Sequence, residues 1–466
     1  MEPSRRSFLR TASAAGIGVA GLAFASTTSA MENAAAPQPK EKKFDRVLRF
    51  GFIGTGSRCH EHINNVLAIP GNSIVAICDV QENPLKQTLA HINKFNRPQP
   101  KVYTGSERAF EQMLNQEDFD CIIIASPWEW HAPMAVAAMK AGVPYVGVEV
   151  SAANTLEECW DLVNTSESTG SRLNIMENVC YRRDCMAILN MVRQGLFGEL
   201  LHGQCGYQHD LRDIKFNDGT QYHYQEGGEL RFGDSAYAEA QWRTQHSVKR
   251  NGDIYPTHGV GPVAHCLDIN RGNRFLSLTS MASQTRGLHK FIVDKGGPNH
   301  PYANLRFNLG DIVTTLIKCA NGQTVVVIHD TNSPRPYSLG FRIQGTEGLW
   351  MDDGHHVYIE GQSQHPHRWD DTKEWFERYD HPLWTNLETD ARKAGHGGMD
   401  YIMMYDLIEA IRHNKPTPMD CYDAAAWSAV SALSEMSIVR GGAVVDFPDF
   451  TRGQWIHRTS AFASTR

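Results

Sequence analysis

Runs of a single charge are missing from this sequence. Its 45 lysines and arginines stand against 52 aspartates and glutamates, and beyond the N-terminus the basic residues gather nowhere. A net charge of −7 without a basic stripe offers no footing for nucleic acid or an anionic membrane surface. Metal-ligand spacing is missing too: none of the 10 cysteines forms a CxxC pair or a zinc-like Cys/His pattern, and there is no HExxH. The histidine-dense pieces His355-His356 and His365-Pro366-His367 lie in a polar, turn-rich stretch and read as solvated loop, so no metal is expected. The most apolar N-terminal stretch, Ala12–Ala25, is short and Gly/Ala-rich for a permanent span, which argues against a stable membrane anchor. No internal repeat is present. These absences leave a small molecule as the expected partner. An even cysteine count allows disulfides in an exported chain. Most thiols, such as Cys78 in Ile74–Cys78 and Cys121 in Cys121–Ala125, nevertheless sit in apolar runs and read as buried and free.

The N-terminus is a separate unit. Ser4-Arg5-Arg6-Ser7-Phe8-Leu9-Arg10 precedes the weakly apolar stretch, and Thr28-Ser29-Ala30 offers small residues for cleavage. This pattern predicts a twin-arginine export signal over residues 1–30, an Ala/Pro/Lys-rich linker over 31–45, and a periplasmic location. That route carries folded proteins, often with a cofactor already loaded.

From residue 46 to about 180 short apolar runs alternate with helical patterns. Leu48–Ile53, Ser73–Asp79, Asp120–Ala125, Tyr145–Val150 and Leu173–Met176 are predicted strands, separated by helices that include His60–Leu67 and His131–Ala141. Continuous apolar strands alternating with helices predict an α/β domain whose parallel sheet is covered on both faces. Residues 181–466 change character. Leu200–Asp210 mixes apolar and polar residues, and Arg212–Gly252 reads as polar loop. Phe275–Ser283, Ile312–Cys319, Thr324–Asp330 and Leu339–Gly345 alternate as half-buried strands do. They predict an α+β domain with a large, open, mostly antiparallel sheet. Tyr401–Arg412 and Tyr422–Val439 close the chain as helices able to pack back on the first domain.

Gly54-Thr55-Gly56-Ser57-Arg58-Cys59 comes directly after the first strand and opens the first helix. Gly54 and Gly56 permit a tight turn and close approach of a pyrophosphate to the helix N-terminus; Cys59 stands where a third glycine is usual. Asp79, at the end of the second strand and about 20 residues on, suits ribose hydroxyls and repels a 2′-phosphate, which predicts NAD over NADP.

Ser126-Pro127-Trp128-Glu129-Trp130-His131 and Gly147-Val148-Glu149-Val150-Ser151 come after later strands, at the edge where ligands bind. This arrangement resembles the oxidoreductases named for glucose–fructose oxidoreductase and inositol dehydrogenase, with a Rossmann first domain. Most of them carry Glu-Lys-Pro where this chain has Glu149-Val150-Ser151, and the missing lysine argues against a simple dehydrogenase. Longer segments are more specific. Glu177-Asn178-Val179-Cys180-Tyr181-Arg182-Arg183-Asp184, Gly206-Tyr207-Gln208-His209-Asp210-Leu211-Arg212, Trp242-Arg243-Thr244, Tyr255-Pro256-Thr257-His258-Gly259-Val260-Gly261-Pro262 and Gly395-His396-Gly397-Gly398-Met399-Asp400 are similar to glycoside hydrolase family 109, typified by α-N-acetylgalactosaminidases.

By that resemblance, NAD contacts fall on Ser57, Arg58, Asp79, Trp128, Glu129, Trp130, His131, Glu149, Val150 and Asn178. Substrate contacts fall on Tyr207, Arg243, Tyr255, Pro256, Thr257, His258 and Tyr337, with Tyr207 and His258 as the catalytic pair. The implied reaction needs no paired carboxylates. A tightly held, recycled NAD oxidises sugar C3, a base removes the C2 proton, the C1 leaving group is eliminated, water adds, and the hydride returns. A homodimer or higher homo-oligomer is implied as well. His209 and Asp210 are further candidates, as are His265 and His396 for the pocket lining. Read without the resemblance, Trp128 and Trp130 serve equally as core anchors, and Tyr337 as an exposed loop aromatic. The rival functions are a true sugar oxidoreductase and a non-catalytic sugar-binding protein on the same fold.

Overall fold

Apolar runs too short for helices form the first sheet. In the computed structural model, which describes residues 46–463, the strands β1 (Leu48–Ile53), β2 (Asn72–Cys78), β3 (Lys101–Tyr103), β4 (Cys121–Ile124), β5 (Tyr145–Val148) and β6 (Arg172–Ile175) lie in the order β3-β2-β1-β4-β5-β6. Every pairing is parallel. β4 and β5 are buried at every residue, as strands covered on both faces must be. The covering helices are α1 (Ser57–Ala68), α2 (Glu82–Asn93), α3 (Ala109–Gln116), α4 (Trp128–Lys140) and α5 (Leu156–Thr169). The chain runs outward in opposite directions from β1 and β4, so their carboxyl ends flank a crevice. The expected export signal and linker lie outside the described residues.

The second half contributes α6 (Arg183–Arg193), β7 (Leu200–Gln208), α7 (Arg212–Lys215), α8 (Arg243–Lys249), α9 (Thr257–Cys266), β8 (Phe275–Ala282), α10 (Gly287–Gly296), β9 (Ile312–Cys319) and β10 (Thr324–Asp330). It continues through β11 (Arg342–Gly345), β12 (Gly348–Met351), β13 (His356–Ile359), β14 (Asp370–Asp371), α11 (Thr372–Tyr379), α12 (Pro382–Ala391), α13 (Met399–Arg412), α14 (Cys421–Val439) and β15 (Val445–Asp446). Its nine strands lie in the order β14-β13-β12-β11-β7-β10-β9-β8-β15. Among the described residues of this sheet, only β7 and β10 pair in parallel. In β9 exposed and buried residues alternate without a break, so one face covers the core and the other meets solvent.

Several expectations need correction. Residues 212–252 are not all loop, because α7 and α8 lie there; at 4 and 7 residues they are too short for a polar segment to show helical periodicity. The strand expected from Leu339 begins at Arg342. His258 is the second residue of α9.

α14 is apolar on nearly every side and is buried accordingly. It packs against α5 and β6 of the first sheet and against β8 of the second, while α13 packs on α1. Hydrogen bonds tie the same region: Ile175 N donates to Met419 O at 3.0 Å, and the Thr417 hydroxyl to Leu173 O at 2.7 Å. All ten cysteines are free and buried. Among the described residues no helix is long and apolar enough to cross a membrane.

Candidate active site

The turn after β1 is shaped for close backbone approach. Gly54 has φ +82°, and a Cβ there would lie 2.6 Å from the Ala125 main chain. A Cβ on Gly56 would meet nothing within 4 Å, so the space over the α1 N-terminus is open. Gly56 caps the helix without a side-chain acceptor, which leaves first-turn N–H groups for an anion. Asp79 Oδ2 accepts from Thr55 N (2.7 Å) and Thr55 Oγ1 (2.9 Å), and Oδ1 from Gln81 N (2.9 Å), which fixes the carboxylate beside the turn. Ser57 is exposed at the start of α1. At the ends of neighbouring strands, the Ser126 and Ser151 hydroxyls are buried without a protein partner. Open space above a helix N-terminus, a fixed carboxylate and orphaned hydroxyls fit a dinucleotide.

The other residues expected at the cofactor form a buried polar network. Glu149 Oε1 accepts from Arg58 Nε and His62 Nε2, both at 2.6 Å, and Oε2 from its neighbour Val150 N at 3.1 Å. Burial opposes ionisation of Glu149, but Arg58 and His62 outweigh it and hold the carboxyl well below the usual range. Arg58 also grips Asp400 from α13, and Asn178 Nδ2 donates to Asp400 Oδ1 at 2.7 Å. His131 lies between the two strand-end segments, with Nδ1 2.7 Å from Ser151 O and Nε2 2.7 Å from Ser126 O; burial lowers its pKa, and the neutral ring donates to one of the two carbonyls. Glu129 is exposed, with His246 Nε2 at 3.6 Å. Trp130 packs edge-on against Phe110.

Tyr207, Tyr255, His258, His209 and Tyr337 converge on one aromatic cluster. The Tyr207 ring lies 5.2 Å from His258, 4.7 Å from Tyr255 and 6.2 Å from Tyr337. Tyr255 stacks on Trp128 at 5.3 Å, which joins the cluster to the crevice at the end of β4. Arg243 Cζ sits 4.8 Å from the Trp128 ring and 5.1 Å from Tyr255, and its guanidinium pairs with Glu239. Burial pushes the Tyr207 phenol up to about 12 against the pull of Arg243. At neutral pH it is therefore an O–H, with His209 Nδ1 3.0 Å away.

Glu177 was not singled out from sequence. It is fully buried at the end of β6, and its Oε1 lies 2.6 Å from His258 Nδ1. A carboxylate only accepts, so Nδ1 of the neutral ring carries the hydrogen and Nε2 presents its lone pair. Glu177 Oε2 and the Thr257 hydroxyl are buried and unpartnered, two more polar atoms for a ligand to satisfy. The spacing of the pair is set by bare backbone. A Cβ on Gly259 would fall 2.4 Å from Gly206 N, and one on Gly206 would fall 2.0 Å from Ile328 O. Neither position accepts a side chain, so α9 rests directly on β7 and His258 lies beside Tyr207.

Pro256 caps α9 at the foot of the cluster. Two of the further candidates, Asp210 and His265, lie away from the aromatic cluster, whereas His396 lines a cavity together with Tyr337. Asp210 pairs with Arg212, His265 stacks on Phe462 deep in the core, and His396 bonds Asp400 beside Arg58.

Residues 48–176 match the oxidoreductase family with an NAD-binding Rossmann fold, and residues 181–457 match the glycosyl hydrolase 109 C-terminal domain. A glycosyl hydrolase family 109 protein of Parabacteroides distasonis is 76% identical, with 99% of this chain and 100% of that protein covered. An α-N-acetylgalactosaminidase of Tannerella forsythia is likewise 76% identical over the same shares. Among solved structures, a levoglucosan dehydrogenase in complex with NADH and levoglucosan superposes with a TM-score of 0.61 at 18% identity, covering 86% of this chain and 100% of that one. An inositol dehydrogenase homologue of Azotobacter vinelandii gives 0.59 at 17% identity, over 87% and 99%. The first domain is thus an NAD-binding Rossmann domain, and the two-domain fold is shared with these two structures.

Proposed function

Since this chain belongs to glycosyl hydrolase family 109, we propose that it is an NAD-dependent glycoside hydrolase acting on α-N-acetylgalactosaminides or related hexosaminides and hexosides. The observation that carries this reading is the Glu177–His258–Tyr207 cluster, with Arg243 beside it, next to the dinucleotide crevice. Gly54, Gly56, Asp79 and the α1 N-terminus would hold NAD, with Arg58, Glu149 and Asn178 alongside. Bound NAD would supply a reversible hydride acceptor for the carbon bearing the sugar C3 hydroxyl, with the hydroxyl proton leaving to water and coming back on re-reduction, and the C3 ketone would render the C2 hydrogen acidic.

The protein then has protons to move. His258 takes the C2 proton through Nε2, while Glu177 stabilises the imidazolium that results. Tyr207, a neutral phenol, is a donor rather than a base and delivers a proton to the departing C1 oxygen, with His209 behind it. Arg243, its Cζ 4.8 Å from the Trp128 ring and 5.1 Å from the Tyr255 ring, donates to sugar or acetamido oxygens. No paired carboxylates would be required, and return of the hydride to the same sugar would leave no external NAD consumed.

The test is incubation with an aryl α-N-acetylgalactosaminide in deuterated water without added NAD. Aglycone release with deuterium at C2 of the product supports the proposal. Full retention of the original C2 hydrogen overturns it, and net NADH formation from free sugar points instead to a sugar oxidoreductase. The same reading places the enzyme in the periplasm, exported folded with its cofactor; replacing Arg5 and Arg6 by lysine should leave it in the cytoplasm on fractionation. A homodimer, as the resemblance implies, belongs to this reading and is checked by sedimentation.

A further inference from the structure

Basic residues that are scattered along the chain gather in space beside α8. Lys249, Arg250, Arg286, His289 and Arg306 line one cavity of about 810 Å³, and among the described residues Glu435 is the single carboxylate on its lining. We propose that this cavity is a second saccharide site, apart from the catalytic cluster, and that it takes a saccharide bearing sulfate or carboxylate groups. The proposal goes beyond the glycosidase reading, because binding here needs no turnover.

Charge carries it. Arg250 uses Glu435, Nε to Oε1 at 2.6 Å, and donates NH1 to Asn154 Oδ1 at 2.9 Å. The other cations are not neutralised. Among the described residues, the Arg286 guanidinium meets only the Gln284 amide, at 3.0 Å, and the side chains of Lys249, His289 and Arg306 have no partner. Asp311 accepts from Arg286 N at 2.6 Å and Gly287 N at 2.9 Å; it caps α10 and lies off the cavity lining. Three positive charges thus line one concave space without a carboxylate of their own, in a chain whose net charge is −7. A cleft lined by one sign of charge focuses its field, and a bound anion relieves the repulsion between the cations.

The lining selects the class of anion. A cavity of this volume encloses a drug-sized ligand rather than a single ion. Between the cations stand the amides of Asn251, Gln284, Asn304 and Asn308, which donate to and accept from hydroxyls. No Trp or Tyr lines the space, and its one phenyl ring, Phe307, is buried, so nucleic-acid bases lack a stacking platform. The position suits a polymeric substrate. α8 begins at Arg243 in the catalytic cluster and ends at Lys249, about 9 Å along its axis at ~1.5 Å per residue. A glycan held here by its anionic groups is kept at high local concentration beside that cluster.

The experiment follows the fluorescence anisotropy of an end-labelled chondroitin sulfate hexasaccharide, which carries sulfate and carboxylate groups, with the full-length protein. Lys249→Gln combined with Arg306→Gln removes two exposed cations that hold nothing in the fold. Glu435→Gln removes the lone carboxylate and keeps an oxygen for Arg250. The double variant should bind about tenfold more weakly and Glu435→Gln about threefold more tightly, the scale of one or two exposed ion pairs. Opposite shifts are not a signature of misfolding. Labelled maltohexaose should not bind, and about 0.5 M salt should release the hexasaccharide. Equal affinity for all three proteins, or binding of maltohexaose, overturns the site. So does displacement by inorganic sulfate charge for charge, which marks an adventitious ion only. Equal binding of phosphatidylglycerol vesicles or duplex DNA marks an unselective basic surface, and a changed sedimentation coefficient in the double variant marks a contact between copies; either overturns the site as well. Loss of aryl glycoside turnover in the double variant would place the cavity in the catalytic machinery and overturn its separateness. A wild type that binds the hexasaccharide but releases nothing from an aryl glycoside overturns the glycosidase reading and leaves this site standing.

Discussion

Arg58 and Asp400 stand 342 residues apart in the chain and meet as a two-pronged ion pair, NH1 to Oδ2 at 2.8 Å and NH2 to Oδ1 at 3.1 Å. The third edge of the same guanidinium holds Glu149, and the same Asp400 holds Asn178. Three residues expected at the cofactor are thus oriented by one carboxylate from the second half of the chain. Replacing Asp400 by Asn should cost up to about 3 kcal/mol of stability, since Arg58 keeps Glu149. It should also release NAD during gel filtration. Chemical denaturation and the dinucleotide absorbance co-eluting with protein check the two effects.

The same network sets an acid limit. Burial works against the charged forms of Glu149 and Asp400, yet Arg58 with His62 and His396 holds both carboxyls well below the usual range. Their folded-state values are depressed, so their stabilisation is present above the unfolded values near pH 4 and is lost as pH falls through the lower folded values. The stability difference between pH 7 and pH 3 should therefore shrink in Asp400→Asn. Denaturation curves at the two pH values decide it.

Glu177→Gln keeps a hydrogen-bond acceptor near His258 but removes the charge that stabilises its protonated ring. We expect kcat to fall on the order of a hundredfold with little change in KM. Adding Glu177→Gln to His258→Ala should cost nothing more, since the carboxylate acts through the ring. Steady-state kinetics of the two single variants and the double variant provide the check.

Tyr207 should contribute no alkaline limb to the pH–rate profile below about pH 11, because burial has raised its phenol to about 12. Tyr207→Phe should lower kcat across the whole profile without moving it. A limb near pH 9 that vanishes in Tyr207→Phe would contradict the donor role.

Lys215 is buried, with Nζ bonded to Thr331 Oγ1 at 2.8 Å and Asn332 Oδ1 at 2.5 Å. Burial, then repulsion by Arg243, pushes its amine down to about 7. Between pH 7 and the unfolded value near 10.4, the unfolded chain binds more protons than the folded one, so stability should rise with pH through that window. Lys215→Met should flatten the rise and stabilise the protein at pH 7 by about 1–3 kcal/mol. Chemical denaturation at several pH values tests both.

The first domain was open to sequence reading because its strands are short apolar runs of fixed length and its turn carries glycines whose geometry has few substitutes. Asp79 emerged from spacing alone. Glu177 and Asp400 were not legible, although both lie in segments that carried the family likeness. A single buried carboxylate leaves no periodic trace, and its partners, His258 and Arg58, lie 81 and 342 residues away. The short helices α7 and α8 were hidden for a related reason: a polar segment of one or two turns looks like loop until the packing around it is known. Tyr207 and His258 were promoted by resemblance, and the physical reason for their proximity, two glycines in contact, needed the fold.

That contact has a mechanical consequence. Where Gly259 rests on Gly206, no side chain lies between helix and strand to tilt, slide or repack. The base and the donor are welded to one frame, and thermal motion can shift them only together. On the proposed reaction, room for a substrate would have to come from the periphery, where Tyr337 is exposed, and not from the spacing of His258 and Tyr207.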